Sequence, residues 1–206
     1  MKTIFLDRDG VINRNPPNKG YVRKWEEFTF IPNARKAIRE LTENDYRIIV
    51  ITNQSGIGRG LYSDESVADI HSRMVAEVSK TGGTIDAVYY CPHHPEAGCE
   101  CRKPKPGMLI RAAREHNIEL SNAYLIGDWI TDIEVGQRVG ATTFLVLTGL
   151  GQESYYHYIN TKSCWRADKN GHRPEKNFHK SLHSNALAPF GVACKPKLAI
   201  KEKNDS

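Results

Sequence analysis

Residues 47–60 read Arg-Ile-Ile-Val-Ile-Thr-Asn-Gln-Ser-Gly-Ile-Gly-Arg-Gly. The first half, Arg47–Asn53, is apolar and β-branched almost without interruption, with no polar residue on alternate positions. That pattern suits a strand buried on both faces, as parallel sheets require. Four more runs share its character: Thr3–Asp7, Ala87–Cys91, Tyr124–Asp128 and Thr142–Thr148.

Helical patterns fill the intervals. Ala34, Ala37, Ile38 and Leu41 fall at i, i+3, i+4 and i+7 behind the start signal Pro32-Asn33, and Val67, Ile70, Met74 and Val78 repeat the pattern behind Ser63-Asp64. Pro106 opens a helix carrying Leu109, Ile110 and Ala113, and Thr131-Asp132-Ile133-Glu134 reads as a capping box for a helix that Gly140 closes. Strands alternating with helices predict an α/β, doubly wound, Rossmann-like parallel sheet. Such sheets bind ligands beyond the carboxyl ends of their strands. Here those ends carry Asp7 with Asp9 two residues on, Thr52-Asn53, Cys91 and Gly127-Asp128.

The chain has 206 residues and a formal charge of +5, but residues 1–151 hold 19 basic and 19 acidic side chains. The excess therefore lies in residues 152–206, which argues against a basic groove for nucleic acid within the fold. Glycines and prolines interrupt that basic tail, no sustained period crosses it, and weak order is expected there. No apolar run is long enough to span a membrane, and Asp7 and Arg8 come too early for a secretory signal, so a cytoplasmic protein is expected.

Two acids behind a buried strand, Asp7 and Asp9, can bind Mg²⁺ through oxygen, leaving one to attack phosphorus and the other to manage a proton. The hydroxyl, amides and glycine-permitted N–H groups of Thr52–Gly60 can surround phosphate oxygens. Asp128 is a further metal-ligand candidate, and Asp132 either favours the helix dipole or orients a lysine. Arg102, Lys103 and Lys105 offer three cations in four residues, of which Lys103 is the candidate to offset phosphoryl charge. Cys91-Pro-His93-His94-Pro-Glu-Ala-Gly-Cys99-Glu-Cys101 supplies three thiols and an imidazole, enough for a closed tetrahedral zinc site. His93 is preferred to His94 because Cys-x-His mirrors Cys-x-Cys, although the two can exchange.

Taken in order, Asp7-x-Asp9-Gly10, Thr52-Asn53, Lys103 and Gly127-Asp128-x-x-x-Asp132 resemble the four motifs of the haloacid dehalogenase (HAD) superfamily of phosphatases. With the cysteine loop added, residues 1–151 resemble its heptose 1,7-bisphosphate 7-phosphatase branch; histidinol-phosphate phosphatases are the runner-up and a non-catalytic zinc-stabilised interaction protein is the contrasting class.

The resemblance implies an Mg²⁺-dependent phosphomonoester hydrolase without a large cap domain. Asp7 would be the nucleophile, and Asp9 the acid that protonates the leaving oxygen and later activates water. Thr52 and Lys103 would stabilise the phosphoryl group, with Asp132 in support. Asp7, the Asp9 carbonyl and Asp128 would hold Mg²⁺, and Cys91, His93, Cys99 and Cys101 would hold Zn²⁺. Arg102 would recognise a second phosphate, while Gly20, Tyr21, Asn53, Gln54 and Ser55 would contact substrate. The implied partner is a small sugar phosphate, with neither nucleic acid nor membrane, and a monomer is expected.

Overall fold

The computed structural model describes residues 1–17, 20–161 and 192–194. Five parallel strands are β1 (Lys2–Leu6), β2 (Tyr46–Asn53), β3 (Ala87–Cys91), β4 (Tyr124–Gly127) and β5 (Thr142–Val146). A short sixth strand, β6 (Val192–Cys194), runs antiparallel to β5, giving the order β3-β2-β1-β4-β5-β6. The helices are α1 (Ala34–Glu43), α2 (Asp64–Ser79), α3 (Gly107–His116), α4 (Ile130–Arg138) and α5 (Gly151–Thr161).

Side chains of consecutive strand residues enter opposite halves of the core. Ile4 and Leu6 of β1, with Ile48 and Val50 of β2, pack with Ala37, Ile38 and Leu41 of α1 and Ile70, Met74 and Val78 of α2. Phe5, Ile49 and Ile51 enter the other half with Met108, Leu109 and Ala112 of α3 and Val135 of α4. Burial on both faces explains why β2 lacks alternation. Asp86 accepts a hydrogen bond from the Ile48 amide at 2.8 Å, fixing the chain just before β3.

The helix starts and faces differ from the sequence reading in three places. First, α4 begins at Ile130: the Asp132 carboxylate, rather than Glu134, reaches back and accepts the Trp129 amide at 3.1 Å. Asp132 therefore occupies the third position of the first turn, where a capping acid belongs.

Second, α3 buries Met108, Leu109 and Ala112 and leaves Ile110 54% exposed. Third, α5 continues the fold past residue 151, where no apolar face marks a helix. The inward face of its first turn is small: Ser154 is fully buried, and a Cβ on Gly151 would meet the Val146 carbonyl oxygen. Close backbone approach, rather than a hydrophobic stripe, seats its first turn. Elsewhere in the basic tail, residues 162–191 and 195–206 lie outside the described residues.

The strand order reverses direction at β1, whose neighbours are β2 and β4. A crevice opens where successive connections leave in opposite directions from such a point, beyond the strand carboxyl ends. Asp7 follows β1 and Asp128 follows β4, so the switch point brings these two carboxylates together. Between β1 and α1 the described residues hold one short 3₁₀ turn, Trp25–Glu27, and no separate cap.

Replacing Ile38 by Ala removes a fully buried side chain and should cost about 2–5 kcal/mol. Ile110→Ala, on the outer face of α3, should stay within about 0.5 kcal/mol, with urea titration of both variants as the measurement.

Candidate active site

Lys103 is the cation that the crevice closes around. Its Nζ lies 3.0 Å from Asp7 Oδ1 and 2.6 Å from Asp132 Oδ1, and donates to the Ile51 carbonyl at 3.1 Å. Burial disfavours its charge, but Asp132 and Asp7 outweigh that and hold its pKa above the ordinary lysine value. This separates the three clustered cations. Lys105 pairs at the surface with Glu100 and the Gly98 carbonyl. Arg102 is half-buried, with an Nη1 that lacks a hydrogen-bond partner.

Ligand oxygens of Asp7, Asp128 and Asp132 lie within 4.8 Å of one another. Burial, then repulsion from Asp132 and Asp9, pushes Asp7 up to about 7 despite Lys103. Burial, then Asp7 and Asp132, pushes Asp128 up to about 8. One ammonium does not balance three buried carboxylates, so the oxygen cluster fits a hard divalent cation. Asp128 is already oriented: its Oδ2 accepts the Leu150 amide at 2.8 Å and Asn15 Nδ2 at 3.2 Å. Gly10 makes room for it. At φ +85° and with its notional Cβ 1.9 Å from Asp128 Oδ2, no other residue fits there.

Asp9 rests in a nest of donors. Arg8 Nη2 binds both its oxygens at 3.0 and 2.9 Å, Asn13 Nδ2 donates at 2.8 Å and Gln54 Nε2 at 2.9 Å. Burial opposes the charge, but Arg8 and these hydrogen bonds lower the Asp9 pKa below the usual value. Arg8 is itself fully buried, with Nη1 3.1 Å from His71 Nε2.

The residues at the end of β2 and just beyond it divide by direction. Thr52 and Gln54 are buried and joined by a 2.9 Å hydrogen bond from Gln54 Nε2 to Thr52 Oγ1. Asn53 faces the other way and clasps the Lys103 main chain, donating to its carbonyl at 3.2 Å and accepting its amide at 3.1 Å. Ser55 Oγ lies 3.3 Å from the Tyr21 hydroxyl. Gly20 is exposed beside Tyr21, with its amide on the Pro17 carbonyl. The structure thus brings Tyr21 to Ser55, whereas Asn53 and Gln54 spend their polar atoms on the protein's own Lys103, Asp9 and Thr52.

Cys91 at the end of β3, with His93, Cys99 and Cys101, forms a second cluster. Its Sγ–Sγ separations are 3.5 Å for Cys91–Cys99 and for Cys99–Cys101; His93 Nδ1 lies 3.6 Å from Cys91 Sγ and 3.2 Å from Cys101 Sγ. A tetrahedron with metal–sulfur bonds of about 2.3 Å has edges of about 3.8 Å, so these four donors fit zinc. His94 turns away, its Nδ1 accepting the Glu96 amide at 3.3 Å, so His93 is the imidazole that stands with the three thiols.

Sequence reading passes over Arg8, Asn13, Asn15, Tyr62 and His71. Arg8 between two acids is a visible signal for an ion pair. Asn15, Tyr62 and His71 approach only through the tertiary fold.

The site has clear relatives. The HAD-hydrolase-like family model matches residues 100–164. The D-glycero-beta-D-manno-heptose-1,7-bisphosphate 7-phosphatase of Pseudomonas putida is 42% identical over 154 residues, covering 75% of this chain and 87% of the relative. The enzyme of that name from Bordetella bronchiseptica is 38% identical over 154 residues, covering 75% and 85%. The chain belongs to the heptose-bisphosphate phosphatase family of HAD-like hydrolases. The crystal structure of the Bordetella D,D-heptose 1.7-bisphosphate phosphatase, complexed with magnesium and phosphate, superposes with a TM-score of 0.73 at 37% identity, over 76% of this chain and 87% of that one. The family membership makes this chain a HAD phosphatase, so the enzyme reading stands and the non-catalytic binding protein does not. These relatives carry the heptose name, not the histidinol-phosphate one. Among the described residues no helix is long and apolar enough to cross a membrane.

His71 gives the site a pH signature in folding. Burial, then the neighbouring Arg8 charge, lowers its pKa from 6.5 to about 3. Above pH 6.5 it is neutral in both folded and unfolded chains; as the pH falls toward 3 only the unfolded chain takes up the proton. Its stabilising contribution is therefore full above pH 6.5 and is lost below it, at ~1.4 kcal/mol per pH unit. Between neutral pH and pH 5, urea titrations should show the unmodified chain losing about 2 kcal/mol more than His71→Gln, which has no proton to gain.

Proposed function

We propose that this phosphatase removes the 7-phosphate of D-glycero-D-manno-heptose 1,7-bisphosphate in the synthesis of nucleotide-activated heptose. The observation that carries the reading is the buried cluster of Asp7, Lys103, Asp132 and Asp128 at the switch point, in a chain of this family. The Asp7 carboxylate attacks phosphorus, forming an aspartyl-phosphate as the bond to the sugar oxygen breaks. Its Oδ1 receives the Arg8 amide at 2.7 Å as well as Lys103, so it enters the reaction already aimed.

Asp9 delivers the proton to the departing sugar oxygen and then takes one from the water that attacks the aspartyl-phosphate, releasing inorganic phosphate and restoring Asp7. At rest Asp9 is ionised among four N–H contacts, and a phosphoryl dianion arriving beside it raises its proton affinity, so that it takes up a proton from solvent before the sugar oxygen departs. Lys103 and the Thr52 hydroxyl stabilise the transferring group, and Asp132 anchors Lys103. Asp7, the Asp9 carbonyl and Asp128 would hold Mg²⁺, which supplies charge neutralisation between the nucleophilic carboxylate and the phosphoryl oxygens. The unpartnered Arg102 Nη1 suits the second phosphate, with Tyr21 and Ser55 at the sugar. Zn²⁺ at Cys91, His93, Cys99 and Cys101 would be structural, since all four positions are filled by protein.

With heptose bisphosphate as substrate, Asp7→Asn should lower phosphate release on the order of 10³-fold or more while leaving the far-ultraviolet circular dichroism unchanged. Turnover of histidinol phosphate above that of heptose bisphosphate by the unmodified protein would overturn the substrate assignment. Cys101→Ser should reduce the zinc content measured by plasma emission below one equivalent and lower the melting temperature. Retained zinc at full occupancy would contradict the four-ligand site.

A further inference from the structure

Both polar atoms of the Gln54 side chain are engaged inside the protein. One amide hydrogen goes to Asp9 Oδ2 and the other to Thr52 Oγ1, both at 2.9 Å, and Oε1 accepts the Tyr62 hydroxyl at 2.9 Å. The side chain is 1% exposed. Its direction is fixed by its partners: the Tyr62 hydroxyl donates to Oε1, and the amide nitrogen is left to face Asp9 and Thr52. Burial keeps Tyr62 protonated by pushing its pKa up to about 12, so it remains a donor at neutral pH. Because Thr52 Oγ1 accepts from Gln54, its own hydrogen stays available for another acceptor. Tyr62 in turn packs edge-on against Tyr21 at 5.8 Å, and Tyr21 meets Ser55. A continuous chain of contacts therefore runs from the substrate rim to the acid.

We propose that Gln54, aimed by Tyr62, is a positioning residue that holds the Asp9 carboxylate and the Thr52 hydroxyl in their working orientation, and is not a contact to the sugar. The proposal rests on the roles given above to Asp9 and Thr52. It distinguishes Gln54 from Ser55 beside it and adds Tyr62, which touches no reacting atom, to the machinery.

The test compares two leaving groups. A sugar alkoxide needs a proton from Asp9, whereas p-nitrophenolate departs without one, so a misplaced acid harms the sugar phosphate selectively. Asp9→Asn sets the reference and should lose ~10²–10⁴-fold on heptose bisphosphate, with a much smaller loss on p-nitrophenyl phosphate. Gln54→Glu keeps the shape and the Tyr62 bond but replaces both donated hydrogens with acceptors. It should lose ~10-fold or more in kcat on the sugar phosphate, with KM within about twofold and a smaller loss on the aryl ester. Tyr62→Phe, which changes one hydroxyl and no shape, should show the same selectivity at smaller size.

A raised KM with kcat intact in Gln54→Glu would make Gln54 a sugar contact and overturn the proposal. Equal losses on both esters in Tyr62→Phe, or none, would reduce the chain to packing, and this variant decides if Gln54→Glu does not fold. If Asp9→Asn shows no leaving-group selectivity, the role of Asp9 itself fails and the positioning proposal falls with it.

Discussion

Lys103 carries a full positive charge in a place where water does not reach, and the arrangement around it follows from that requirement. An ammonium leaves water only if other charges and dipoles replace its hydration; Asp7, Asp132 and the Ile51 carbonyl do so. The compensation overshoots. Asp128 adds a third carboxylate within reach, and burial together with this surplus raises the pKa values of Asp7 and Asp128. A crevice with this surplus is poised for a divalent cation, and with one bound it can accept a phosphoryl group whose own charge would otherwise be repelled. Lys103 thus joins two conditions: it keeps the carboxylates together before substrate arrives, and it leaves them short of one more cation.

Holding four ionisable groups so close demands a rigid source for each. Asp7 comes from β1 and Asp128 from β4, neighbouring parallel strands whose register is fixed by core side chains on both faces. Asp132 stands in the first turn of α4, where it also caps the helix through the Trp129 amide. Lys103 belongs to no element. Its backbone is held by the two-bond clasp from Asn53, at the end of β2. Every charge at the centre is therefore tied to a strand end or a helix start, and the only one that begins in a loop has been tied to a strand by another side chain.

The same logic explains what could be read from the sequence. Apolar continuity in Arg47–Asn53 and the periods of α1 and α2 are consequences of burial, so the layers and most of the core were legible. Carboxylates at strand ends were legible because a chain leaving a parallel sheet has few reasons to place two acids at Asp7 and Asp9. The start of α5 was not, because Gly151 and Ser154 sit against the sheet by being small, and smallness leaves no hydrophobic signature. Nor were the orientations of Asn53 and Gln54. Adjacent residues leaving a strand point to opposite sides, but which side meets Lys103 and which meets Asp9 depends on partners 50 and 45 residues away. That His93 stands with the three thiols while His94 accepts the Glu96 amide depends on the folded loop in the same way.

A metal held by the cysteine loop would serve this centre through the backbone it fixes. Residues 92–101 contain one short 3₁₀ turn and little that could form a core of their own, yet both neighbours of the reaction lean on them. The Gln54 main-chain N–H donates to the carbonyl of Cys91, the last residue of β3, at 2.8 Å, and the Gly58 N–H to the Pro92 carbonyl at 2.8 Å, so the glycine turn after β2 takes its backbone position from the end of β3 and the start of this loop. Lys103 follows Cys101 by two residues. A loop that frays would move the turn and the lysine together, and displacements of about 1 Å are costly to catalysis. Four protein ligands on one ion would fix such a segment where burial cannot, and with every coordination position filled that ion would take no part in the chemistry.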